Sequence, residues 1–200
     1  MAKKNIELRK AGNETIDLFA KGYYYMYDEP SGSVFNLIRT SDLILSEVKR
    51  EVGEAYLKDY PDLYQSLMEV GFLVTTGYSE DLLGSDTKGG LQTWCPQFQN
   101  WHTQEQREQY WARQNTTDRI GGEEAWWYGC NNPPAPFPTY HIDDDLICSR
   151  VLSWMQYDYR CDGNLYWCVN AQFNKENLWE IPENFGGARG EGNLLYPGKK

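Results

Sequence analysis

The feature that most restricts this chain is an alternation. Short aromatic or β-branched runs, each bounded by glycine, proline or acidic residues, are separated by stretches whose apolar residues recur at helical spacing. Residues 23–27 (YYYMY) lie between Gly22 and Asp28-Glu29-Pro30 and predict a strand. Over residues 33–50, Val34, Leu37, Ile38, Ile44, Leu45 and Val48 predict a helix with Ser33 as its cap. Pro61 opens another helix, with Leu63, Leu67 and Val70 on one stripe. Residues 72–76 (FLVTT) predict a strand buried on both faces, and residues 91–95 (LQTWC), closed by Pro96, predict a third. The polar run 103–115 predicts a surface helix that turns Tyr110 and Trp111 inward and ends before Gly121-Gly122. Residues 125–130 (AWWYGC) predict a fourth strand, followed by the proline-rich loop 131–138. A helix is expected over 143–159, with Ile147, Val151, Trp154 and Met155 on one face and three aspartates at its positive end. Residues 163–169 (GNLYWCV) predict a fifth strand.

Strands separated by helices imply right-handed crossovers and a parallel sheet. Neither G-x-G-x-x-G nor G-x-x-x-x-G-K-[ST] follows the first strand, which removes the usual mark of a doubly wound nucleotide-binding sheet. Polar and aromatic residues gather instead at C-terminal strand ends: Asp28-Glu29, Trp94-Cys95-Pro96, Tyr128 to Asn132, and Tyr166 to Asn170. An α/β barrel carries its chemistry at such ends. The expected fold class is α/β, of the (β/α)8 TIM-barrel type. A full barrel typically takes ~250 residues, so the 200 residues are expected to supply about strands 4–8 of an incomplete one. The chain reads as a single domain, 1–200, with a lead-in over 1–20 and an irregular C-terminal segment over 174–200.

Eight Trp, fifteen Tyr and seven Phe supply enough apolar area for a core and exclude a disordered chain. Twenty-nine acidic against nineteen basic residues, net charge -10, with the basic ones scattered, argue against a nucleic-acid partner. No run approaches the ~18 apolar residues that cross a bilayer, and the N-terminus has no apolar export region, so no membrane partner is expected. Cys95, Cys130, Cys148, Cys161 and Cys168 show no C-x-x-C spacing and read as reduced thiols, mostly buried. His102 and His141 show no H-x-x-x-H spacing; neither a metal nor a cofactor is expected.

The chemistry centres on Asp28 and Glu29, which close the strand YYYMYDEP. Strict alternation puts Tyr23, Tyr25, Tyr27 and Glu29 on one face and Tyr24, Met26 and Asp28 on the other, with both acids reaching one cleft from the strand end. A carboxyl beside another, walled by aromatic rings, has its charged form disfavoured, which suits general-acid work. Aromatic faces flanked by acids match the C–H faces of a pyranose. The candidate substrate-binding residues are Tyr25, Trp94, Trp127, Tyr128, Tyr166, Trp167 and Asn170. Each also has a plainer reading, as solvated loop or as core. Two carboxylates that hydrolyse a glycoside usually flank the bond, ~5–5.5 Å apart for retention. Sequence neighbours fit better the substrate-assisted scheme, in which the 2-acetamido group of the sugar is the nucleophile. Glu29 would then protonate the leaving oxygen and activate water, Asp28 would hold the acetamido N–H, and a Tyr hydroxyl would orient its carbonyl.

These residues carry a resemblance. The block 124–173 (EAWWYGCNNPPAPFPTYHIDDDLICSRVLSWMQYDYRCDGNLYWCVNAQF) resembles the C-terminal half of the barrel in the catalytic domain of glycoside hydrolase family 123, also known as domain of unknown function 4091. YYYMYDEP resembles the family's catalytic strand, LQTWCP its tryptophan-cysteine-proline strand end, and GNLLYPGK its closing segment. The resemblance implies a retaining, exo-acting β-N-acetylgalactosaminidase of glycans, with Glu29 as acid/base and Asp28 as the acetamido-stabilising group. It also implies earlier barrel strands, often a β-sandwich, ahead of the acid pair, and export of relatives that degrade external glycans. An N-terminal part of the barrel or an oligomer partner would then cover the open sheet edge. The alternatives are a non-catalytic carbohydrate-binding fragment of the same barrel and a glycosidase of different sugar specificity.

Overall fold

The computed structural model describes residues 1–85, 87–172, 175–183 and 188–198. Along the chain these form α1 (Ala2–Lys10), β1 (Tyr23–Asp28), α2 (Phe35–Tyr56), α3 (Pro61–Glu69), β2 (Gly71–Thr75), β3 (Thr93–Trp94), α4 (Gln104–Gln114), β4 (Glu124–Gly129), α5 (Cys148–Asp158) and β5 (Gly163–Tyr166). The chain divides into two compact units, Met1–Trp94 with Gln109–Glu124, and Cys95–Glu108 with Ala125–Lys200.

In the first unit β1 pairs with β2 and β2 with β3, both parallel and in chain order. The central strand β2 is buried along Phe72–Thr75, as its unbroken apolar run requires. A helical core of Ala2, Phe19, Leu57, Leu63, Leu67 and Val70 packs together, with Ile6, Val52, Tyr60 and Tyr64 against it. Helix α1, which apolar periodicity does not announce, is anchored by a polar residue. Asn5 is fully buried, accepts the Leu18 N–H at 2.9 Å and donates to Asp17 at 3.2 Å.

In the second unit β4 pairs parallel with β5, from Trp126 opposite Gly163 to Gly129 opposite Tyr166. The chain just past β3 runs beside β4, where Gln97 bridges Tyr128 in parallel sense and the Tyr128 N–H donates to the Pro96 carbonyl at 3.0 Å. Gly163 opens β5 because a Cβ there would stand 2.3 Å from the Trp126 ring. The expected class is thus observed at the level of a mixed α/β chain whose paired strands run parallel.

Four helix expectations are corrected. Ser33 does not cap α2; it sits in a 3-10 turn bonded to Ser31 at 2.7 Å, and the helix continues to Tyr56. The predicted apolar face of α2 is only partly the inward one: Ile38 is buried, but Leu37, Ile44 and Val48 are exposed, and Asp42, Lys49 and Gly53 are buried in their place. Polar anchors choose the face. Asp42 pairs with Arg119 and accepts the Gly90 N–H, and the Lys49 ammonium donates to the carbonyls of Met68 and Val70. Helix α5 begins at Cys148, not Asp143, because Asp144 accepts the Thr139 N–H and hydroxyl at 2.9 and 2.6 Å and holds that stretch in turns. Its buried residue is Leu152, whereas Trp154 is 62% exposed.

Candidate active site

Strand β1 does not keep the alternation that its sequence suggests. Tyr25 lies opposite Leu73 and Tyr27 opposite Val74, so Met26 is an extra residue, a bulge. A bulge re-aims the side chains beyond it. It brings Tyr25 and Asp28, expected on opposite faces, together: the Tyr25 hydroxyl donates to Asp28 Oδ1 at 2.8 Å. The Thr75 hydroxyl at the end of β2 donates to the same oxygen at 3.0 Å and accepts the backbone N–H of Glu29 at 2.8 Å. Thr75 is buried, so one hydroxyl fixed by the neighbouring strand holds both the Asp28 carboxylate and the Glu29 backbone.

Glu29 itself has φ +45°, in the left-handed region that a long side chain seldom adopts. Its N–H bond to Thr75 offsets that cost, and strain of this kind concentrates where a side chain must be aimed. Asp28 and Glu29 are both exposed, at the end of a strand whose Tyr23, Tyr24, Tyr25 and Met26 are exposed as well. Tyr25, Asp28, Glu29 and Thr75 form one cluster within the first unit. Chemically it offers a carboxylate oriented by two hydroxyls, next to a second carboxyl on an exposed residue.

Trp94, also in the first unit, is fully buried; its indole donates to Glu123 at 2.7 Å and stacks on Tyr78. Glu123 is held by Arg113, at 2.9 Å to Nε. That geometry is a packed polar core.

The remaining candidates lie in the second unit. Trp127 is 1% exposed and packs edge-on against Phe98, Trp101 and Tyr159. Tyr128 is buried beside Gln97. Tyr166 and Trp167 meet on Glu191, with Tyr166 donating to it at 3.0 Å and the Trp167 indole also donating. Asn170 is exposed and bridges Asn193. Burial pushes the Tyr166 phenol up, which keeps it a donor. The sequence reading missed Thr75, Glu191 and His141, which joins Glu191 at 2.6 Å.

The chain is thus a mixed α/β protein with parallel strands and two exposed carboxyl-bearing residues at the C-terminal end of one of them, a layout that by fold alone defines no reaction. The comparison with protein families specifies the class: the model of the glycoside hydrolase 123 catalytic domain matches residues 63–200, and the chain belongs to that family. The domain is accordingly that of a glycoside hydrolase. The matched stretch contains both strands of the second unit and begins after Asp28 and Glu29. A search of curated proteins finds no match.

Proposed function

We propose that this chain is a retaining, substrate-assisted glycosidase of 2-acetamido sugars, β-N-acetylgalactosaminidase-like, with Glu29 as acid/base and Asp28 as the group that holds the acetamide. The observation that supports it most is the convergence of Tyr25 and Thr75 on one oxygen of Asp28. A carboxylate so fixed keeps its second oxygen to accept the acetamido N–H, which orients the acetamido oxygen for attack on the anomeric carbon. As the C1–O bond breaks, Glu29 gives its proton to the leaving oxygen, and the positive charge on the oxazolinium ring meets the Asp28 carboxylate. Glu29, now ionised, takes a proton from the water that attacks the anomeric carbon as its bond to the acetamido oxygen breaks, which restores the acetamide and the Glu29 acid, with Asp28 a carboxylate throughout, and leaves the β-anomer. The exposed Trp167 of the second unit is proposed as a ring contact for glycan. Under this reading the strands belong to a (β/α)8-type barrel.

A second reading, carbohydrate binding without turnover, draws support from a family match that begins after the acid pair. The two are separated by 4-nitrophenol release from the β-N-acetylgalactosaminide and the β-N-acetylglucosaminide, with a thiazoline of the same sugar as competitor. Turnover of the galactosaminide in preference, blocked by the thiazoline, is expected. Thiazoline binding without turnover would favour the second reading, and a folded protein that shows neither would overturn the proposal.

A further inference from the structure

In the second unit one buried carboxylate gathers three donors from two separate stretches of chain. The Glu191 side chain is 1% exposed; Oε2 takes His141 Nε2 at 2.6 Å and the Tyr166 hydroxyl at 3.0 Å, and Oε1 takes the Trp167 indole N–H. Gly192 completes the arrangement. Its N–H donates to the Tyr166 oxygen at 2.8 Å, and at φ +71° a Cβ would stand 2.5 Å from Trp167 Cζ2, so only glycine lets the ring lie against this backbone. Trp167 is 40% exposed although its indole N–H is held by a buried group.

An aromatic ring with its rotamer fixed before a ligand arrives loses little entropy on binding one. Glu191 is too deeply buried to touch a ligand, so it acts through the ring that it holds. We propose that Glu191 and His141 are positioning residues that fix Trp167 as a platform for the apolar face of an N-acetylated pyranose. This rests on the carbohydrate reading above and adds to it which buried pair sets the platform.

In its protonated form His141 is the cation that offsets the burial of Glu191. A carboxylate out of water is costly unless it is paired. The Glu191 bond raises the imidazole above its ordinary value, against the opposing effect of burial, and the Cys130 backbone and the Asp144 charge act in the same direction. Among the described residues, other charged or titratable groups around this stretch include Tyr166 on Glu191, the Cys130 thiol beside Tyr166, and Arg189 with Asp143 at 3.7 Å and Glu183 at 3.2 Å. A histidine whose folded value lies above its unfolded one contributes fully below the unfolded value, and the contribution is lost as pH rises through the folded one. The platform therefore loosens on the alkaline side of the His141 titration.

The test is the indole resonance of Trp167 in a nitrogen–proton spectrum, assigned by its loss in Trp167→Phe. It is followed against pH and against added methyl β-N-acetylgalactosaminide. The resonance is expected to shift with the sugar and to titrate with His141. Glu191→Gln should displace it and weaken sugar binding about tenfold or more, the size expected when a hydrogen bond to a charged group is lost. His141→Gln should remove the pH response, and it serves as the second variant if Glu191→Gln does not fold. An unmoved resonance in folded Glu191→Gln, or a pH response that survives His141→Gln, overturns the positioning role. No indole response in a wild type that hydrolyses the sugar overturns the platform, and neither response nor hydrolysis overturns both readings. Response without hydrolysis supports the platform and removes only the enzyme reading.

Discussion

Glu29→Gln is expected to lower kcat on an aryl β-N-acetylgalactosaminide by about 10²–10⁴-fold, the range that a positioned general acid–base supplies. The loss should depend on the leaving group. A 4-nitrophenyl glycoside needs little protonation, so the substitution mainly slows its water step; a sugar leaving group needs the proton, and turnover of a natural-type disaccharide should fall further. Asp28→Asn should give a loss of the same order on both, because the acetamide then meets an amide in place of a carboxylate. Tyr25→Phe keeps the acids but removes one of the two hydroxyls on Asp28 Oδ1, and about a tenfold loss or somewhat more is expected from one charge-assisted hydrogen bond. The series is read by steady-state kinetics on both substrates with circular dichroism as a control for folding. A folded Glu29→Gln variant with unchanged kcat on both would remove Glu29 from the chemistry.

The second large effect concerns stability. Asp42 and Arg119 are both 3% exposed in their side chains, and Arg119 also donates to the Leu91 carbonyl at 2.8 Å. Arg119→Met leaves the Asp42 charge buried without its cation. The first unit should lose about 3–5 kcal/mol, the usual cost of breaking a buried pair from one side. The double variant Asp42→Leu with Arg119→Met should be less destabilised than Arg119→Met alone, since no unpaired charge remains, although the Gly90 N–H then lacks its acceptor. Urea unfolding of the three proteins measures both differences. A single variant as stable as the wild type would show that the pair does not fix the inward face of α2.

Where the sequence reading succeeded and failed follows from the range of the interactions. The strands are legible because each is a short aromatic or β-branched run with breakers at its ends, all within a few residues. The bulge at Met26 is not, since nothing in YYYMYDEP distinguishes the extra residue; the register with β2, a separate stretch of chain beyond two helices, decides it. Strict alternation therefore separated Tyr25 from Asp28 where the fold joins them. The face of α2 is only partly legible for a similar reason: Ile38 is inward as its spacing predicts, and the rest is not. Apolar spacing is local, but Asp42 finds Arg119 at a separation of 77 residues, and that pair outweighs Leu37, Ile44 and Val48. Asp28 and Glu29 could be singled out as two acids at the end of an aromatic strand. Thr75 and Glu191 could not, because a buried hydroxyl or carboxylate shows its purpose only through partners supplied by distant segments.

The most direct test of the Asp28–Glu29 chemistry is the anomeric configuration of the sugar at the moment of release. Hydrolysis of 4-nitrophenyl β-N-acetylgalactosaminide is followed by proton magnetic resonance, fast enough to precede mutarotation. Attack by the acetamido oxygen and then by water inverts the anomeric carbon twice, so the β-hemiacetal should appear first and the α-anomer only as mutarotation proceeds. First appearance of the α-anomer would mean a single displacement by water, and would contradict an acid pair that works through the acetamide of the substrate.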